Sequence, residues 1–163
     1  MTLSLPQVAR EHHERLMHHV DRIPELADSL LGARTSDALS GLAALSTFLN
    51  GTLLPHVDAA EATLYPELER MFQNRHSMAP MRREHADLRV MTAELDARVS
   101  ELGDGQITIG RALALRRVMF RLYAVLKVHL AEEEAYLRLM DRSLTTDVAD
   151  LLAAAMDHPV AAG

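Results

Sequence analysis

His56-Val-Asp-Ala-Ala-Glu61-Ala-Thr-Leu64 has a second version further along the chain, His129-Leu-Ala-Glu-Glu-Glu134-Ala-Tyr-Leu137. In each, a histidine stands about one helical turn before a carboxylate and an aliphatic residue, a spacing that lets imidazole and carboxylate approach one metal ion from one helix. Further histidines lie upstream of the first phrase and between the two, so four segments can each offer a donor to one interior point. Such convergence needs long helices laid side by side.

Helical periodicity continues outward from both phrases. Ser4 can cap a first helix carrying Leu5, Val8, Leu16, Ile23, Leu26 and Leu30, with Pro24 as a kink and Gly32 as a stop. Ser36 opens a second through Leu42, Leu45, Leu49, Leu53, Leu64, Leu68 and Phe72, which ends in the stretch from Asn74 to Pro80. A third carries Met81, Leu88, Leu95, Val99 and Leu102 up to Gly103-Asp-Gly105, and Thr108 caps a fourth running through Leu115, Met119, Leu122, Leu126, Leu137 and Met140. No segment alternates with period two. The expected fold is all-α: an antiparallel up-down four-helix bundle over 4–142, with a short extra C-terminal helix at about 145–157, in one domain spanning 1–163.

Composition bounds what such a bundle does. Among 163 residues, 48% are apolar, yet there are only three Phe, three Tyr and no Trp, so Leu, Ala, Val and Met must build the core. A net charge of −6 argues against a nucleic-acid partner, which needs a basic patch. Without cysteine there is no thiolate site and no thiol nucleophile, so any metal takes nitrogen and oxygen ligands. No basic segment followed by an apolar stretch opens the chain, and no apolar run is read as approaching the ~18 residues of a membrane span. A cytoplasmic protein with no membrane partner is expected.

With His56 at zero and about 100° per residue, the apolar stripe of its helix centres near 70°, so His56 and Glu61 flank the stripe with the small Ala60 between them. In the fourth helix Glu133 lies nearest the stripe centre and His129 at its edge. Glu134 matches Glu61 in register, so both Glu133 and Glu134 are candidates. His85 flanks the stripe of the third helix; His12 and His19 lie on the apolar face of the first, and His13 at its edge. Pro55 and Pro66 each remove a backbone donor, which bends or locally widens the second helix and helps a carboxylate five residues from His56 reach the same metal. Tyr65, one turn beyond Glu61, is a candidate outer hydrogen-bond partner or phenolate ligand. A lone histidine beside an apolar stripe is usually a satisfied core residue. Four helices with such histidines are another matter, because burying Glu61 and Glu133 uncompensated is costly and coordination removes the cost.

Taken in order, these pieces resemble the hemerythrin-like, or HHE cation-binding, family: His12 or His13 in the first helix, His56 to Pro66 in the second, Glu84-His85-Ala-Asp-Leu88 in the third and His129 to Glu134 in the fourth, together spanning roughly residues 5–140. The resemblance implies a non-haem centre of two iron ions, oxo- or hydroxo-bridged, that meets dioxygen, hydrogen peroxide or nitric oxide. His13, His19, His56, His85 and His129 are expected as terminal ligands, with Glu61 and Glu133 as bridges. Two departures bear on function. Arg89 stands where oxygen carriers of the family have a second histidine, and Ala60 stands where most relatives place a glutamate. Both favour consumption of peroxide or nitric oxide, catalase-like or scavenging, over reversible oxygen carriage. The alternative is a non-enzymatic module that binds, stores or senses iron or oxygen.

Overall fold

A computed structural model describes the backbone of residues 5–140 and the side chains of residues 11–140; the expected C-terminal helix lies outside the described residues. The chain is all-α. Its elements are α1 (Leu5–Val20), α2 (Ile23–Ser29), α3 (Thr35–Phe48), α4 (Leu54–Ala59), α5 (Tyr65–Met71), α6 (Ala79–Ser100) and α7 (Ile109–Met140). Two π-helical turns, Leu49–Leu53 and Ala60–Leu64, join α3 to α4 and α4 to α5, making one run from Thr35 to Met71.

Pro24 acts where expected. It occupies the first turn of α2, where its missing N–H costs nothing, and the chain breaks at Asp21-Arg22 just before it. Gly32 (φ 78°) and Gly105 (φ 96°) take the left-handed conformation that other residues resist, one in each of two loops that meet. There Thr35 N donates to Gly105 O (2.7 Å), Ile107 N donates to Ala33 O (2.9 Å), and the Thr35 hydroxyl donates to Gly103 O (2.8 Å). The second run therefore starts at Thr35, one residue before the expected Ser36. Thr108 does cap α7, its hydroxyl accepting from Arg111 N at 3.4 Å.

Each π turn ends two residues before a proline, at Leu53 before Pro55 and at Leu64 before Pro66. A proline cannot donate to the carbonyl four residues back, and a widened turn takes up the mismatch. In an unbroken α-helix Tyr65 would sit about 180° from His56; absorbing one extra residue in the π turn brings it to about 80°, onto the apolar stripe. Tyr65 is accordingly fully buried.

The run Thr35–Met71 has 37 residues and a mean hydropathy of 1.2 in its most apolar window, enough by length and composition alone to cross a membrane. This corrects the expectation that no segment comes near that threshold. Much of its apolar face, including Leu42, Leu45, Leu49, Leu53 and Val57, is spent on the protein's own core.

The core has two apolar zones. The larger joins Leu16, Val20, Leu42, Leu49, Leu53 and Val57 to Leu88, Leu95, Leu115, Leu122 and Leu126. The smaller joins Ala60, Leu64, Tyr65, Leu68, Met78, Met81, Leu137 and Met140. Each buried leucine contributes roughly 1.5–3 kcal/mol. On three runs polar residues lie at or next to the change of zone: His56 beside Val57 and ahead of Ala60, His85 between Met81 and Leu88, and His129 and Glu133 on either side of Leu130 and ahead of Leu137. The fold thus reserves one level of its interior for imidazole and carboxylate.

Candidate metal centre

Among the described residues, five histidines and one carboxylate are buried at that level: His12, His13, His56, His85, His129 and Glu133. They come from four runs far apart in sequence, α1, α4, α6 and α7. Glu133 is the only carboxylate among them, with no solvent exposure.

The donors fall into two groups that share Glu133. His13, His56 and Glu133 place ligand atoms within 4.8 Å of one another, and so do His85, His129 and Glu133. In the first group Glu133 Oε2 is 3.1 Å from His13 Nε2 and 3.0 Å from His56 Nε2, while Oε1 has no hydrogen-bond partner. In the second, His85 Nε2 and His129 Nε2 are 3.0 Å apart, and the Tyr65 hydroxyl is 2.9 Å from His85 Nε2. The Tyr65 and His85 rings stack, with centroids 5.1 Å apart and planes at 18°.

Outer partners orient these rings. His85 Nδ1 lies 2.8 Å from Glu61 Oε1, and His129 Nδ1 lies 2.9 Å from Glu84 Oε2. Both carboxylates accept, so both Nδ1 atoms carry the proton and both Nε2 atoms present lone pairs. Arg89 fixes Glu61 in turn, donating to it at 3.1 Å and to Asp58 at 2.7 Å. His56 Nδ1 meets His12 Nε2 at 3.1 Å, and Nδ1 of both His12 and His13 lacks a partner.

The donor chemistry fits cations. Two imidazole lone pairs 3.0 Å apart in a dry interior repel each other unless a proton or a metal lies between them, and one phenol proton satisfies only one of them. A buried, half-satisfied carboxylate next to them supplies charge. Burial, with neighbouring His56, His13 and Arg15, lowers the pKa of His12 to about 3; burial, then His129, lowers that of His85 to about 4. Burial alone would raise Glu133, but His56 and His13 outweigh it and hold the carboxylate well below its ordinary range. A neutral His85 beside an ionised Glu133 is the pair of protonation states a metal needs. Nitrogen and oxygen donors without thiolate suit iron or manganese, and zinc as well.

A family model for the hemerythrin HHE cation-binding domain matches residues 6–138. The chain belongs to that family. No curated protein and no solved structure matches it. The family is described by cation binding, and the two His/Glu groups are where the structure offers donors that could hold a metal.

The structure places some expected residues elsewhere. Glu61, expected as a bridge, stands on the outer nitrogen of His85 with its side chain 27% exposed and bound by Arg89; burial opposes but Arg89 and His85 prevail, keeping it ionised below its usual range. Its face of the helix looks toward α6, not toward Glu133. His19 stacks on Phe48 (4.7 Å) and lines a separate cavity of about 310 Å³ with Ile23, Leu26 and Leu45. Glu134 pairs with Arg138 on the outside of α7. His12 faces His56 from behind, leaving His13 as the α1 residue that touches Glu133. Glu84 was not singled out as a site residue from sequence. Its signal was there in the Glu84-His85 pair, but the partner it serves is His129 across the interface.

Proposed function

We propose that this hemerythrin-type domain is an antiparallel four-helix bundle holding a non-haem di-iron centre that consumes hydrogen peroxide or nitric oxide. The observation that carries the reading is the sharing of Glu133 between two donor groups, one with His13 and His56 and one with His85 and His129. A carboxylate has two oxygens, and one side chain reached by two imidazole pairs is suited to bridge two ions.

The chemistry supplied by a bound iron pair is electron transfer to and from a small oxidant. The chain's own residues do the rest. Its four inner imidazoles and one inner carboxylate would leave ligand positions for a small molecule on bound iron, because Ala60 carries only a methyl group, not a ligand, where the family resemblance implies a glutamate. The Tyr65 hydroxyl stands beside His85 Nε2 and is the proton donor, or the phenolate, nearest to such a molecule. Its ordinary pKa is raised, by burial first and then by Glu133, Glu61 and Glu84, so without metal it stays a phenol. Access is through a crevice of about 270 Å³ between α1 and α7, lined by His13, Glu14, Met17, Lys127 and Ala131. That volume is ample for peroxide or nitric oxide.

The test is the untagged protein purified from iron-supplemented cells, with metal per chain and the visible spectrum measured before and after hydrogen peroxide or nitric oxide. Two irons per chain with oxygen evolution support peroxide turnover. Two irons with nitric oxide consumed but no oxygen evolved support scavenging, and two irons with neither reaction favour the non-enzymatic storage or sensing reading. No bound metal rejects the proposal.

A further inference from the structure

The two donor groups share one carboxylate but differ in what stands behind them. Both imidazoles of the His85/His129 pair donate their outer N–H to a carboxylate, Glu61 at 2.8 Å and Glu84 at 2.9 Å. Arg89 and Asp58 extend the first of these into a fixed chain, His85 to Glu61 to Arg89 to Asp58. Among the described residues, no carboxylate stands behind the other pair. His56 Nδ1 meets only the imidazole of His12, at 3.1 Å, and His13 Nδ1 has no partner at all.

A carboxylate on the outer nitrogen makes an imidazole a better donor and locks its ring, and removing such a partner typically costs 10–100-fold in metal affinity. A neutral imidazole partner does less, and a bare N–H does nothing. One position therefore has two reinforced ligands and a fixed geometry. The other has one weakly supported ligand and one ring held only from its inner side.

From this asymmetry we infer that the two metal positions are unequal and fill in order, the His85/His129 position first and tightly, the His13/His56 position second and reversibly. The inference rests on the metal-binding reading above. It adds that Glu84 and Glu61 are positioning residues that set the order, and that the exchangeable ion is the one beside the α1/α7 crevice, since His13 lines that crevice and His85 and His129 do not. A protein built this way keeps one ion when iron is scarce and takes up the second as supply rises.

The test is calorimetric titration of metal-free protein with Co²⁺, and with Fe²⁺ under anaerobic conditions. Two steps are expected, the first at least 10-fold tighter. Glu84→Gln and Glu61→Gln weaken the first step by about 10–100-fold and leave the second within about threefold. His13→Ala removes only the second step, and His129→Ala removes the first. On the unaltered chain, one equivalent of diamagnetic Zn²⁺ shifts the ring proton signals of His85 and His129 and leaves those of His13 largely in place, a readout that needs no variant to fold. Two ions of equal affinity, or loss of the second step alone in Glu84→Gln, overturn the ordering while leaving the metal-binding reading intact. A chain that takes up no ion at all overturns both.

Discussion

The hydroxyl of Tyr65 lies 2.9 Å from Nε2 of His85, on the side of the imidazole away from its Glu61 partner. Tyr65 thus touches the inner face of the candidate centre, where a ligand atom or a bound small molecule belongs. Replacing it with Phe keeps the ring stacked on His85 and removes only the oxygen. Tyr65→Phe is expected to retain two metal ions and to change folding stability by no more than about 1.5 kcal/mol, the net worth of one hydrogen bond. Peroxide consumption is expected to fall by about 100-fold or more, as when one preorganised donor is lost from an active site. Stopped-flow kinetics beside metal analysis checks this; unchanged turnover would remove Tyr65 from the chemistry.

Glu133→Gln carries the opposite signature. The amide keeps the shape but loses the charge, and both donor groups depend on that one side chain. Metal content is expected to drop from two ions to fewer than one per chain, read by elemental analysis after dialysis. Retention of both ions would show that Glu133 is not shared.

His19→Gln and Glu134→Gln serve as controls. His19 stacks on Phe48 and Glu134 pairs with Arg138, so neither substitution alters the metal count. Helical periodicity admits His19 and the register match with Glu61 admits Glu134, and neither signal reports which neighbour a helix face meets.

The same distinction separates the legible parts of the site from the rest. His56, His85, His129 and Glu133 were readable as candidates because each lies on or beside an apolar stripe, and buried polar groups in such places need a partner. Glu61 meets His85 and Arg89 on α6 instead of Glu133, and the widened turn expected to bring it inward does not do so. The two prolines gave warning of a widened turn but not of its size. Glu84 escaped because adjacent residues on a helix point apart: it cannot serve His85 and turns instead to His129 on α7. Such pairings depend on how α6 and α7 are set against each other, which no pattern within one helix encodes. Of the fold, the four long helical segments were legible from caps and stripes; the stitching of the two loops through Thr35, Gly103 and Gly105 was not.

Chelation links the centre to stability. Ions that bind the folded chain and not the unfolded one add about 2.7 kcal/mol at a free concentration 100 times the dissociation constant. Stripping with a chelator is expected to lower Tm by at least several degrees while leaving helix content at low temperature largely intact, because the two apolar zones remain. Differential scanning calorimetry with and without added metal decides it, and an unchanged Tm would count against a structural contribution from the ions.

Acid exposes the same linkage in the metal-free protein. The pKa of His12 is lowered to about 3 and that of His85 to about 4, burial being the first cause in each, against 6.5 in the unfolded chain. Between pH 6.5 and 4 the unfolded state therefore binds protons that the folded state refuses, so stability falls as pH falls. Glu133 and Glu61 act in the same direction at lower pH, since their folded pKa values lie below 4.5 and protonation favours unfolding. Each histidine costs up to about 1.4 kcal/mol per pH unit across its window. The midpoint of urea unfolding is expected to be nearly flat from pH 8 to 7 and to fall steeply from 6.5 to 4. Replacing His12 with Phe keeps a ring at the back of His56 but removes one titrating group, so the slope below pH 6.5 should become shallower. A midpoint that rose on acidification would mean that these histidines gain a proton in the folded state, contrary to their burial.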